Sequence, residues 1–414
     1  MKRFMTLALL LSFLLTGCSE QVISTNTSQS QTDAVSELMM VTSPIEYTTK
    51  GCYTEEGYYY IDYIDTVGIE ASIRYIDYAN LLDLPLTSQI TGVQDETNES
   101  YIGSSIGGCI VFTIGDHLYY LRCGSSYYYN TYGETALPAI YSMNLDGSDR
   151  KLLMQGDSNE EFKTALTSDG TWIYFVTSEY EKDSGGEIEY LTKLNRINIE
   201  TGNREQVAEL LENEHIIGAF SDNIILQRIY PIEQKSQEIP TYYTDISIYN
   251  LSSKKHTIFD TWDTNQTMIY TSVYGDCLFK FDLSTREITL KPFTKSNTRT
   301  FSASDMFSEN NTNIWFPCFY DGYFFCLDDD SNGTWAIDLN TGEKSLRELT
   351  YYNNNKMQEE PIEIFAQNKD YYLVSVGQDV ATTFPIYNYA LIDKRDYMSG
   401  NPCFQNINKI EDIS

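Results

Sequence analysis

Histidine, basic charge and long apolar runs are scarce in this 414-residue chain. His117, His215 and His256 are its only histidines. They leave little material for a His-centred nucleophilic relay or a histidine metal site. Lysine and arginine number 28 against 59 acidic residues, a net charge of −31. A surface this acidic repels phosphate backbones and anionic headgroups, which excludes nucleic acid as a partner. Eight cysteines are present, with no Cys-x-x-Cys and no Cys/His cluster, so a zinc site has no ligand pattern. The apolar run Phe4 to Leu15 is 12 residues, short of the ~20 that cross a bilayer.

That run follows Lys2 and Arg3 and ends in Leu15-Thr16-Gly17-Cys18. The segment resembles the lipobox of a bacterial lipoprotein signal, in which the cysteine becomes the acylated first residue of the mature protein. Residues 1–17 are then a signal peptide removed on export. Cys18 carries the lipid, of the palmitate class, and anchors the chain to the outer face of the cell membrane. Loss of Lys2 and Arg3 takes the net charge to about −33. Residues 18–45 are rich in Ser, Thr, Gln and Asn, with no sustained hydrophobic period. Such a composition reads as a flexible tether. The folded domain is expected over 46–414.

The chain is plentiful in tyrosine (34) and phenylalanine (19) and short of helical Ala/Leu patterns, which points to an all-β fold. From Tyr47 onward one pattern recurs. A β run ends in a Gly/Asp turn, a second follows at once, a variable loop leads to a third run ending in Asp-Leu or Asn-Leu, and a fourth closes the unit. CIVFTIGD, HLYYLRC, AIYSMNLDGSD and RKLLMQG make its clearest copy. A four-stranded unit repeated about seven times predicts a β-propeller of seven blades, with six the alternative. Copies one (Gly57–Thr91), five (Met268–Phe293) and seven (Ile362–Tyr397) are less regular, and the fifth is short.

Three stretches carry a family resemblance. IYSMNLDGSDRKLL, residues 140–153, is similar to segments of bacterial lipoprotein propellers related to YWTD propellers. SDGTWIYFVTS, residues 168–178, resembles the Ser-x-Asp-Gly segment of TolB-like propellers. IRYIDYANLLDLPL, residues 73–86, is similar to the first blade of Firmicutes lipoprotein propellers. The resemblance implies an exported, lipid-anchored propeller. It brings no catalytic residues with it. The cysteine-containing stretch that often follows the first blade in that family is missing from LPLTSQITG, residues 84–92.

Two other patterns bear on chemistry. Asp328, Asp330 and Asn332, followed by Gly333, fit Asp-x-Asp-x-Asn-Gly, the first half of a calcium loop. The closing Glu is replaced by Leu339. The plainer reading is a solvated acidic turn, and no cofactor is required. Cys109/Cys123 and Cys318/Cys326 each flank a tight turn. A three-residue turn would set each pair opposite, for a disulfide; a two-residue turn would put them on opposite faces.

Long loops between second and third strands fall in three consecutive repeats: Gly124–Pro138, Glu179–Tyr190 and Tyr230–Tyr243. They bring Tyr127, Tyr128, Tyr129, Tyr132, Tyr180, Tyr190, Tyr230, Tyr242 and Tyr243 to one rim. Tyrosine offers large contact area at low entropic cost, so this rim is the expected surface for a protein, peptide or glycan. The functional expectation is a membrane-anchored, monomeric binding or scaffolding module outside the cytoplasm, and not an enzyme. The alternative is a hydrolase or lyase using carboxylates in the central pocket.

Overall fold

The computed structural model describes residues 37–42, 51–63, 70–86, 101–104, 108–182, 188–232, 241–264, 269–294, 297–306, 314–327, 332–353, 357–379 and 386–410. Consecutive antiparallel strands form seven four-stranded blades of a β-propeller. Their innermost strands are Cys52–Tyr53, Cys109–Ile114, Thr167–Ser168, His215–Phe220, Ile269–Tyr274, Trp315–Tyr320 and Ile364–Gln367. The irregular fifth repeat is a complete blade, closed by Arg299–Ser302.

The core explains the repeat. Its seven buried clusters lie one at each blade-to-blade junction, including that between blades 7 and 1. Each blade is covered on both faces, so its middle strands are apolar on both sides. In the second strand of blade 5, Leu278 packs toward blade 4 while Phe279 and Phe281 pack toward blade 6. Tyr58 and Tyr60 face blade 7, whereas Tyr59 and Ile61 face blade 2. Period-two alternation here separates two apolar interfaces and not a core from solvent.

The same alternation decides the cysteines. Two-residue turns pair Ile114 with His117 and Tyr320 with Tyr323. At the second turn, Asp321 (φ 51°) and Gly322 (φ 83°) supply the two positive φ values a tight hairpin needs. Cys109 therefore lies opposite Arg122, and Cys318 opposite Phe325. Cys109 packs between blades 1 and 2 and Cys123 between 2 and 3; Cys318 and Cys326 likewise face different neighbours. None of the seven described cysteines is in a disulfide.

Among the described residues, the strand ends fall on two faces. The first-to-second and third-to-fourth turns share one, hereafter the turn face. The second-to-third hairpins and the blade-to-blade links share the other, the hairpin face. The helix Lys394–Ser399 sits on the turn face, between the last two strands of blade 7. The ring closes at its outer edge. Asn408–Lys409 adds in parallel to Leu82–Pro85, the outermost strand of blade 1.

Within the span 18–45, residues 37–42 are part of the sheet. Met39–Met40 pairs with Thr167–Ser168 as an extra strand inside blade 3. The Val41 N–H donates to Leu166 O, the Thr42 hydroxyl to Thr164 O, and the Leu38 N–H to Ser221 O in blade 4. Leu38 is buried between blades 3 and 4.

Candidate functional site

Three features of the propeller could hold a ligand: the central channel, a groove on the turn face, and the hairpin face. The channel has a volume of about 920 Å³ and is lined by the inner strands of every blade but the third, together with Glu37–Thr42. Its lining is largely apolar. Glu37 and Asp276 are the carboxylates along it, and no histidine, lysine or arginine is among the lining residues. Cys52 and Cys318 also face it, and burial pushes both thiols up, away from the reactive thiolate. A ring of converging acids, the arrangement acid-base glycosidic chemistry needs, is not assembled here among the described residues.

The turn-face groove, about 650 Å³, lies between blades 2 and 3 and includes Asp116, His117, Asp149, Lys151 and Glu200. Its polar groups pair with one another at the surface. His117 Nδ1 is 2.7 Å from Asp116 Oδ1, and Lys151 donates to Asp149 at 2.7 Å.

The histidines do not build a relay. His256 lies on the outermost strand of blade 4 and His215 on the innermost. Beside His256 stand Ser247 and Glu214, a trio with the right residue types. One ring nitrogen serves both partners, however: Nε2 is 2.9 Å from Ser247 Oγ and 3.0 Å from Glu214 Oε1. A relay needs the two nitrogens on different partners, and Ser247 is only 1% exposed. The trio is a buried polar brace, with Ser247 Oγ donating to Glu214 at 2.7 Å and the Leu211 N–H at 2.9 Å.

Burial would push the Glu214 carboxyl up, but the donors from His256, Ser247 and Leu211 outweigh it and hold the group below the usual carboxylate range. A depressed carboxyl adds stability that is fully present above its unfolded value near 4.5 and is lost as pH falls through the folded value. Glu214→Gln is therefore expected to flatten the acid side of the Tm–pH curve. Melting curves between about pH 6 and pH 3 check this; parallel curves for wild type and variant would remove Glu214 from the acid response.

Gly103-Ser104-Ser105-Ile106-Gly107 spells Gly-x-Ser-x-Gly. A nucleophile elbow needs a strand-to-helix turn. Here Tyr101–Ser104 is a strand on blade 1, Ser105 lies outside the described residues, and the next described element is the strand Cys109–Ile114.

The hairpin face holds the tyrosines. In blade 2, Gly124 turns the chain with φ 74°, and a Cβ there would meet Pro138 N at 2.4 Å. The connection then forms a helix, Ser126–Tyr132, and a 3-10 turn, Gly133–Ala136. Tyr127, Tyr128 and Tyr132 are exposed, Tyr127 by 80%, and Tyr129 is partly buried. The Tyr127 and Tyr128 rings meet edge-on at 4.9 Å. In blade 3, Tyr180 lies opposite Tyr190 with ring centroids 5.1 Å apart. In blade 4, Tyr230 lies opposite Tyr243, the Arg228 guanidinium stands 4.4 Å from the Tyr230 ring, and Tyr242 is exposed.

Glu161, from the link between blades 2 and 3, joins two of these groups. It accepts the Tyr180 hydroxyl at 2.8 Å and the Ser126 N–H at 3.3 Å, so the first turn of the blade 2 helix finds its acceptor beside the blade 3 hairpin. Burial, then Glu161, pushes the Tyr180 phenol up. Sequence reading did not find Glu161, because nothing in its own stretch marks it. No described contact joins the blade 4 tyrosines to the other two groups. Asp328 and Asp330 lie outside the described residues, as does Cys18; Asn332 is exposed in a bend two residues before the strand Thr334–Asp338.

No family model matches this chain, and no curated protein does. Among solved structures it is similar to TolB from Acinetobacter baumannii, with 11% identity and a TM-score of 0.36 over 86% of this chain and 77% of that one. It is similar to a 6-phosphogluconolactonase candidate from Bacteroides fragilis, with 13% identity and a TM-score of 0.40 over 92% and 95%. It is also similar to YjhT, with 9% identity and a TM-score of 0.31 over 72% and 96%. With every score below 0.5, what stands for this chain is the propeller drawn by its own blades.

Proposed function

We propose that this chain is a lipid-anchored propeller that works outside the cytoplasm and binds a protein, peptide or glycan through the hairpin face of blades 2 to 4, without performing chemistry. One observation carries the reading. Three consecutive blades bring tyrosines to the same face, on a helical connection in blade 2 and on the ends of paired strands in blades 3 and 4, and Glu161 fixes the first two groups to each other. Exposed aromatic side chains on a rigid scaffold give contact area at low ordering cost. The apolar, acid-poor channel favours this reading over the carboxylate hydrolase. The anchor rests on the Leu15–Cys18 lipobox.

The test is chemical crosslinking in intact cells followed by partner capture. Tyr127→Ala with Tyr190→Ala is expected to weaken capture at least about tenfold, since an aromatic anchor is worth on the order of 2 kcal/mol. Both side chains are exposed, so Tm should hold. Cys18→Ala should move the chain from the membrane to the soluble fraction. Undiminished capture by the double variant would remove the rim from the mechanism, and an unchanged membrane fraction would remove the anchor.

A further inference from the structure

The path of residues 37–42 through the propeller has a direction. Leu38 donates its N–H to Ser221 O, in the first-to-second turn of blade 4, which lies on the turn face. Met39 pairs with Ser168, Met40 with Thr167, and Val41 N–H reaches Leu166 O. Thr42 is the far end: its hydroxyl donates to Thr164 O and accepts the Leu166 N–H. Its partners thus step from 168 back to 164, away from the blade 3 turn at Asp169–Gly170 and toward the hairpin face. Gly51, which next enters the described chain, opens the inner strand of blade 1 from that same side, since Thr54–Glu56 form the turn at its other end. Residues 37–42 therefore run lengthwise along the channel, from the turn face toward the hairpin face.

The crossing is held at both ends. Leu38 is 2% exposed in the cluster between blades 3 and 4, and Thr42 is 7% exposed. Glu37, at the turn face, is exposed. Glu37, the first described residue, thus lies at the turn face, on the side opposite the tyrosines of blades 2 to 4.

We infer that the propeller is held to the membrane by its turn face, so that the tyrosine-bearing hairpin face is directed away from the lipid, toward a partner arriving from solvent. This rests on the anchor at Cys18 proposed above. Had the chain joined at the hairpin face, the anchor would draw the tyrosines toward the headgroups and favour a membrane-embedded neighbour. The compact turns of the other face, two residues long in blades 2 and 6, then face the lipid and leave the long connections free.

The two faces carry ready handles. Cys403 is exposed on the turn face, beside the helix Lys394–Ser399. Cys109, Cys123, Cys277 and Cys326 are buried, and the burial-raised thiols of Cys52 and Cys318 react slowly. A biotin maleimide is therefore placed on Cys403, or on Tyr127→Cys in a Cys403→Ser background. The full-length acylated chain is bound to phosphatidylethanolamine and phosphatidylglycerol vesicles, and streptavidin association is timed before and after detergent release. Relative to released protein, Cys403 is expected to be slowed at least about threefold more than Tyr127→Cys. Deleting residues 20–33 limits the remaining reach to roughly 20 Å and should widen the difference to about tenfold. Equal slowing at both sites, or greater slowing at Tyr127→Cys, overturns the inference. The same ratio is measured with residues 1–18 replaced by a hexahistidine tag on nickel-chelating vesicles, which reads the polarity whether or not Cys18 is acylated. Flotation of the acylated chain reports separately on the anchor.

Discussion

Arg74→Met is expected to lower the unfolding free energy by about 3–5 kcal/mol, the cost of removing one partner from a buried ion pair. Arg74 is 3% and Asp83 2% exposed. Arg74 Nε donates to Asp83 Oδ1 at 2.8 Å, and Nη2 donates to Asp83 O at 3.0 Å and to Ile410 O at 2.8 Å. Tyr60 donates to the other carboxylate oxygen at 2.8 Å. Burial pushes the Asp83 carboxyl up against the opposing pull of Arg74 and Tyr60, a sign of how much desolvation those donors offset. Methionine would fill similar volume but leave a buried carboxylate facing a thioether, and Ile410 O would lose its donor.

The position makes the effect larger than local. Ile410 belongs to the stretch that closes the ring on blade 1, with Asn408 N–H on Leu81 O, Ile410 N–H on Asp83 O and Lys409 Nζ 3.1 Å from Asp62. Chemical denaturation gives the free energy, and hydrogen exchange over residues 404–410 reports whether the clasp frays first. Arg74→Met combined with Asp83→Leu should recover part of the loss, because replacing both partners removes the stranded charge. A single-variant loss below about 1 kcal/mol would mean the pair does not hold the ring.

Leu38→Ala carries the second large effect, a loss of about 2–5 kcal/mol. Leu38 is nearly inaccessible and packs in one cluster with Tyr174, Val176, Ile216 and Leu226, at the seam of blades 3 and 4. Truncation there removes apolar contacts from both blades and leaves a cavity that paired strands collapse onto poorly. A chain beginning at residue 43 should melt lower still, since it also loses the Met39–Met40 pairing and both Thr42 hydrogen bonds. Equal melting temperatures for wild type and the shortened chain would show that the crossing segment adds nothing to stability.

The legible part of the fold was the part written in local pattern. CLFKFD, HLYYLR and YFFCL declare strands because aromatic residues and leucines recur between Gly/Asp turns. Turn placement marked the blades well enough to locate all seven copies. Alternation alone left open which face met which neighbour, and so the cysteine pairs stayed undecided until the two-residue turns settled the register. The tyrosines were legible as a group because composition is local, but their setting was not: Tyr180, Tyr190, Tyr230, Tyr242 and Tyr243, expected in loops, lie on the paired strands Trp172–Lys182, Ile188–Asn198, Asn223–Ile232 and Thr241–Asn250. Glu161, which joins two of the tyrosine groups, was not legible: its partners are 19 and 35 residues away and nothing in EEF distinguishes it.

By itself the sequence determined the strand-rich class, the four-stranded unit, its repetition six or seven times and the tyrosine content around three second-to-third connections. These follow from short-range spacing, since period-two burial and positive-φ turns act over a few residues. Only the tertiary structure decided the rest. It put Leu38 into the seam of blades 3 and 4, seated Asn408–Lys409 on blade 1, and sent residues 37–42 through the channel from the turn face to the hairpin face. Each of those contacts joins residues more than 100 positions apart. A two-residue strand carries too little pattern to announce a partner at that range; what selects it is the unfilled edge and apolar seam that the finished ring presents.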